Sequence, residues 1–282
     1  MDYSNIVSEN FQNLQEIASR EKLNYQKAKP FPNIVLKNFF KDDFLNTILK
    51  EFPDLSSLSK SQSYEEKNEI KLSNNKYNTF PPTIKLFIDF LNSENFLSFI
   101  QDLTSIKEKL VADPDLEGGG LHEIKRGGVL KIHTDFNRHP VRDLDRRINI
   151  LIYLNKEWLE SYGGHLELWN QDVSRCEKKI LPSFNTMAIF STTDFSNHGH
   201  PDPLVCPKEI SRKSVALYYF SSGRPKNEIS NINMKNRTHF KSRVGIKNDA
   251  YENKESFKNY LRKFKIYQFL KKIEKKYIRS KK

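Results

Sequence analysis

The chain has 282 residues and a mass of 33.2 kDa, with 37% hydrophobic and 29% charged residues, enough for one substantial core or two small ones; collagen-like, coiled-coil and wholly disordered architectures are excluded. Its net charge of +12 sits mostly in residues 258–282, which hold eleven Lys or Arg and one Glu and leave 36 basic against 34 acidic side chains in residues 1–257. A near-neutral body without a reader motif argues against a nucleic-acid partner.

Two cysteines, Cys176 and Cys206, are too few for a disulfide scaffold or a four-cysteine zinc site. No apolar run approaches the roughly 20 residues of a membrane span. The start, Met1-Asp2-Tyr3-Ser4-Asn5, lacks the basic and apolar regions of a secretory signal. The expectation is a soluble, cytoplasmic protein.

Residues 1–28 carry a weak helical pattern through Ile6, Phe11, Leu14 and Ile17, broken at Pro30-Phe31-Pro32. Asn33 to Phe40 reads as a β-rich run, and Asp42 or Asp43 can cap a helix through Phe44, Leu45, Ile48, Leu49 and Phe52 that Pro53 stops. Ser56 to Asn78 is polar and reads as a loop. From Pro82 two helical patterns follow, Ile84-Phe87-Ile88-Leu91 and Phe96-Phe99-Ile100-Leu103, with Ser93 as a cap between them.

After Asp113-Pro114-Asp115 the period turns strand-like. Glycines at 118–120, 127–128 and 163–164 punctuate short runs at Val129–His133, Ile148–Tyr153, His165–Trp169, Thr186–Phe190 and Lys213–Phe220, which indicates a sandwich or barrel. The division is an N-terminal helical support at 1–114, a β core at 115–222, and a polar linker with a basic C-terminal helix at 223–282. The last helix carries Phe257, Tyr260, Leu261, Phe264, Tyr267, Leu270, Ile273 and Tyr277 on one stripe. Such a helix suits an anionic membrane surface, an acidic partner or the protein's own core.

Among seven histidines, His133 stands out because His133-Thr134-Asp135 lies in a strand-like run, where period two puts 133 and 135 on one face. An imidazole and a carboxylate so placed can bind one metal ion, and a second imidazole from a distant strand completes the two-histidine, one-carboxylate set of non-haem iron(II) oxygenases. His198 and His200 both offer that imidazole. Arg212, at the head of another strand, offers a planar fork for a carboxylate. Asp143, Asp145, Arg146 and Arg147 read as a solvated charged loop or as residues shaping a substrate mouth, His122 and His139 as surface or loop residues, His165 as facing solvent or lining the pocket, with solvent favoured, and Cys206 as a small buried residue.

The ordered series His133-Thr134-Asp135, Tyr153 to Trp158, Gly163-Gly164-His165-Leu166, Phe190 eight residues before His198, and Arg212 to Phe220 resembles the iron(II)- and 2-oxoglutarate-dependent dioxygenases, prolyl 4-hydroxylase-like branch. The resemblance covers residues 120–222, about a third of the chain. It implies a mainly β fold with helical support (α+β), a double-stranded β-helix or jelly roll packed on N-terminal helices. It implies His133, Asp135 and His198 as the catalytic iron ligands. Its spacing from Phe190 favours His198 over His200. Arg212 would hold the far carboxylate of 2-oxoglutarate, with Tyr153 as a second contact.

The implied cofactors and cosubstrates are Fe(2+), 2-oxoglutarate and O2, with ascorbate as an accessory reductant. The implied activity is hydroxylation of a C–H bond in a small-molecule or protein substrate, peptidyl proline being the first candidate. The alternative is a cupin-like metal-binding or saccharide-binding jelly roll without oxygenase activity, for which Arg212 and Tyr153 have no evident task.

Overall fold

The computed structural model describes residues 3, 5–58, 62–230, 237–247, 249 and 250; the amphipathic stripe expected near the C-terminus lies outside the described residues. Four helices are present among them, α1 (Leu14–Lys27), α2 (Asp42–Glu51), α3 (Pro82–Leu91) and α4 (Glu94–Thr104). The hydroxyl of Ser93 accepts the Phe96 N–H and caps α4, as expected. In α2 the cap is Lys41, and Asp42 and Asp43 occupy the first turn instead. There their charge meets the positive end of the helix dipole, and Asp42 accepts a bond from Asn185 at 2.7 Å.

The strands are β1 (Asn33–Lys37), β2 (Gln62–Glu66), β3 (Glu69–Asn74), β4 (Leu110–Ala112), β5 (Gly120–Ile124), β6 (Val129–Thr134), β7 (Asp145–Tyr153), β8 (Leu166–Trp169), β9 (Cys176–Ile180), β10 (Thr186–Ser191), β11 (Asn197–His200), β12 (Arg212–Ser221) and β13 (His239–Phe240). They pair antiparallel in the order β1-β10-β7-β12-β5-β3-β6-β11-β8-β9, with β2 on β3, β4 on β12 and β13 on β6. The result is a nearly closed jelly-roll barrel with helical support.

Residues 56–78, expected as a loop, contain the β2–β3 hairpin. Its side chains are too polar to announce a strand, but its backbone has partners on both sides. Leu72, Ser73 and Asn74 pair with Glu123, His122 and Leu121, while Glu69 and Ile70 pair with Leu130 and Val129. Ladder bonds to two strands satisfy the backbone of a segment that buries little apolar surface.

Alternation along three strands separates the core from the site. Ile148, Ile150 and Ile152 on β7, Met187 and Ile189 on β10, and Val215, Leu217 and Tyr219 on β12 join Phe39, Phe87, Phe96 and Phe99 in one buried cluster under the helices. Each fully buried side chain of this kind contributes roughly 1.5–3 kcal/mol. The intervening residues, Asn149, Leu151 and Tyr153, Ala188 and Phe190, and Arg212, Ser214, Ala216 and Tyr218, project to the opposite face, into the barrel. Helix packing on one face therefore rigidifies the strands whose other face carries the polar residues.

Candidate active site

His133 ends β6 and pairs across the ladder with His198 of β11, so period two and register together bring two imidazoles to one end of the barrel, ring centroids 4.4 Å apart. Asp135 follows two residues after His133. Its Oδ1 lies 3.5 Å from Nε2 of His133 and its Oδ2 lies 3.3 Å from Nε2 of His198. β11 can approach β6 so closely because residue 199 is glycine; a Cβ there would lie 2.7 Å from the Leu130 carbonyl oxygen and 2.8 Å from that of Lys131.

The tautomers of both rings follow from their outer bonds. Nδ1 of His133 donates to the Lys131 carbonyl at 2.8 Å, and Nδ1 of His198 donates to the Ser196 carbonyl at 2.9 Å. A neutral imidazole that spends its proton on Nδ1 presents a bare lone pair at Nε2. Two such lone pairs and a carboxylate within 4.8 Å of one another repel unless a cation lies among them. The donor set, two nitrogens and one oxygen from one side, fits a divalent first-row metal with open positions.

Around Asp135 the wall is built to keep it ionised. Oδ2 accepts from Asn149 Nδ2 at 2.7 Å and lies 3.0 Å from Arg146 Nη2, while Arg146 Nε donates to Asn149 Oδ1 at 2.8 Å. The guanidinium is sandwiched between Tyr218, 3.3 Å from the ring centroid, and Phe136, at 4.5 Å. Burial pushes the Asp135 carboxyl up, but the Arg146 charge leads the interactions that oppose it, and the group stays well below the usual carboxylate range. Burial and the neighbouring His198 lower the His133 imidazole.

Arg146 and Arg147 are thus not in a solvated loop. They are buried at the start of β7, Arg147 bonding Glu108, Ser221 and Glu228. A run of charges reads as surface, but here each charge has a partner brought in by the fold, a pairing invisible in local composition.

A cavity of about 240 Å³ opens beside the cluster, lined in part by Arg146, Asn149, Leu151, Leu166, His200 and Arg212. Arg212 is 5% exposed. Its Nε donates to the Gly164 carbonyl at 2.8 Å and its Nη2 to the Tyr153 hydroxyl at 3.1 Å, leaving Nη1 without a bond among the described residues. Gly164 sits at φ +71° and a Cβ would lie 2.5 Å from Leu204 Cδ2, so this support also requires glycine. Tyr153 is fully buried, and its own hydroxyl proton has no acceptor among the described residues.

His200 shares the cavity but not the cluster. Burial, then Arg212, pushes its imidazole well below the ordinary value. His122, expected as a surface or loop residue, lies on β5 and lines the same cavity, its Nε2 3.2 Å from the Gly118 carbonyl. The β2–β3 hairpin adds Tyr64, Glu69 and Lys71 to the lining, and Thr238, just before β13, completes it. Phe240 of β13 stacks 5.6 Å from His133. Neither segment carried a sequence signal. His165 is outside the cavity, paired with Glu160 at 2.6 Å, and Cys206 is buried as expected.

Asp113, Asp115 and His139 form a second cluster with metal-like spacing. His139, expected as a surface or loop residue, lies in a loop and is 4% exposed. Its Nδ1 accepts the backbone N–H of Val141 and Arg142, so the proton is on Nε2, facing Asp113 at 3.5 Å. With its Nδ1 lone pair spent on two backbone N–H groups and its proton on Nε2, this ring has no lone pair for a metal. Asp113 itself accepts the backbone N–H of Asp115 and Glu117 and closes a turn.

Residues 119–220 match the sequence profile of the 2OG-Fe(II) oxygenase superfamily. A prolyl 3-hydroxylase from Xenopus laevis, OGFOD1, is 25% identical over 176 residues, covering 60% of this chain and 31% of that protein. The chain therefore spans about a third of that curated relative's length. Among solved structures, a prolyl hydroxylase from Trichoplax adhaerens in complex with a hypoxia-inducible-factor peptide fragment aligns with a TM-score of 0.54 at 17% identity, covering 75% of this chain and 92% of that one. A prolyl 4-hydroxylase from Pseudomonas putida aligns with a TM-score of 0.52 at 12% identity, covering 73% and 100%. These structures share the fold.

Proposed function

We propose that this chain, whose residues 119–220 form a 2OG-Fe(II) oxygenase domain, is an iron(II)- and 2-oxoglutarate-dependent dioxygenase that hydroxylates a C–H bond of a peptide or small molecule. The observation that carries the reading is the pair of unprotonated Nε2 atoms facing one carboxylate, with Arg212 in the adjoining cavity. His133, Asp135 and His198 would hold the metal. Bound iron(II), with 2-oxoglutarate and dioxygen, supplies oxidative decarboxylation to succinate and carbon dioxide coupled to hydroxylation.

The chain's own residues bind, orient and exclude water. Arg212 pairs through Nη1 with the far carboxylate of 2-oxoglutarate in a site dry enough for that pair to be strong. Tyr153 orients the guanidinium and donates its free proton to the same cosubstrate. Asn149 donates to Oδ2 of Asp135 and Arg146 pairs with it, so the carboxylate would meet the metal ionised and fixed in orientation. Leu151, Leu166 and Phe190 keep bulk water from the barrel interior, Phe190 packing 4.8 Å from the His198 ring.

Residues 115–222 are the catalytic core on this reading, supported by 1–114 and extended by 223–282. Peptidyl proline is the first substrate candidate, in keeping with the prolyl hydroxylases the chain resembles. Its thiols are free among the described residues and no described helix is long and apolar enough to cross a membrane; we place it in the cytoplasm. The basic stretch at 258–282 offers its charge to an anionic membrane or an acidic partner.

Purified protein given iron(II), ascorbate and 2-oxoglutarate is expected to release succinate slowly without substrate and faster with proline-containing peptides that gain one oxygen atom. His133→Ala and Asp135→Ala abolish both. Failure of the wild-type chain to bind 2-oxoglutarate in the presence of a divalent metal overturns the reading.

A further inference from the structure

His200 is a buried imidazole that the proposed reaction leaves without a task. It is 3% exposed, it lines the cavity with Arg212, and neither of its ring nitrogens has a hydrogen-bond partner among the described residues. This sets it apart from His133 and His198, each of which spends Nδ1 on a backbone carbonyl. An imidazole always carries at least one N–H, so a buried ring with two unpaired nitrogens holds a donor that the protein itself does not use.

Topology says where that donor belongs. His200 is on β11, which pairs with β6 and β8, whereas Arg212 is on β12, which pairs with β4, β5 and β7. The two strands are not neighbours, so the side chains share the barrel interior from different walls. Lys71 and Arg212 line the same cavity as His200. A donor that shares its cavity with two cations suits an anionic ligand.

We propose that His200 is a specificity residue of the cosubstrate subsite, its ring N–H donating to the far carboxylate of 2-oxoglutarate that Arg212 also pairs with. The inference rests on the oxygenase reading above. It makes the subsite a two-walled reader of dicarboxylates: a 2-oxo acid without the second carboxylate would leave both Arg212 and His200 unpaired and bind weakly.

The test is calorimetric and needs no turnover. Manganese(II) is bound first to the full chain, and 2-oxoglutarate is then titrated into wild type, His200→Leu and His200→Gln. The leucine variant is expected to keep manganese affinity within about twofold and to lose about tenfold or more in 2-oxoglutarate affinity. Glutamine, which restores a donor at similar reach, recovers part of the loss. 2-Oxovalerate, lacking the far carboxylate, binds wild type and the leucine variant equally weakly. Unchanged 2-oxoglutarate affinity in both variants overturns the inference while leaving the oxygenase reading standing. Loss of manganese binding by both also overturns it, by making His200 a metal ligand or a structural residue. Absence of 2-oxoglutarate binding by wild type removes both.

Discussion

Arg146 Nη2 lies 3.0 Å from Oδ2 of Asp135, and the two side chains, 1% and 10% exposed, are the cation and the anion of one pair behind the proposed metal-binding face. A buried carboxylate that loses its cation typically costs about 3–5 kcal/mol. A divalent metal, once bound, would supply a replacement charge to the same carboxylate. Arg146→Met is therefore expected to destabilise the metal-free protein by about 3–5 kcal/mol in urea unfolding with a chelator present, and by clearly less with saturating manganese(II). An identical loss in both conditions sinks this account of the pair.

Gly199 makes a geometric prediction. Its missing Cβ allows β11 to pass the Leu130 and Lys131 carbonyls, and both obstacles are backbone atoms that cannot swing aside. Gly199→Ala should push β11 away from β6 and separate His198 from His133. Manganese(II) affinity is expected to fall by about tenfold or more, the scale of losing support behind a ligand. A variant that retains wild-type affinity shows that the strands can yield without disturbing the ligands.

How far the sequence could be read depends on where each residue finds its partner. His133 and Asp135 were legible because strand periodicity puts them on one face with no knowledge of the rest of the chain. Ile148 to Tyr153 and Lys213 to Phe220 were legible because their apolar content survives in local composition. Arg146 was not: its partners are a strand neighbour, the Asp135 carboxylate and two aromatic rings that only the closed barrel assembles. The β2–β3 hairpin was hidden for a related reason, since its strands exist through backbone pairing to β5 and β6 and carry little apolar patterning. The spacing from Phe190 favoured His198 over His200, and the ladder registers His198 opposite His133 and His200 opposite Leu130.

The cavity should also make the metal-free fold acid-sensitive. Burial, then the nearby Lys71 charge, lowers the His122 imidazole to about 3. The unfolded chain titrates this group near about 6.5, so between that pH and about 3 the unfolded state binds more protons than the folded one. Stability therefore rises with pH across the window and is lost as pH falls through it. Urea unfolding with a chelator present is expected to show wild type losing more stability than His122→Gln between pH 7 and pH 5. The depressed imidazoles of His133 and His200 leave part of the slope in the variant. Equal slopes would mean that His122 titrates alike in both states.

Tyr153 and Arg212 can be separated by a double-variant cycle. The phenol accepts from Arg212 Nη2 at 3.1 Å, and its ring lies 4.8 Å from the guanidinium carbon, so it supports Arg212 whether or not it touches the cosubstrate. Arg212→Lys removes the planar fork and its bonds to Gly164 and Tyr153, and is expected to weaken 2-oxoglutarate binding to the manganese-loaded protein by about tenfold or more. If Tyr153 acted only through Arg212, adding Tyr153→Phe to that variant would change nothing further. Because the phenolic proton has no acceptor among the described residues, the expectation is a further loss of about tenfold, the value of a hydrogen bond to a charged oxygen. Equal affinities for the single Arg212→Lys and the double variant would reduce Tyr153 to a residue that positions the guanidinium.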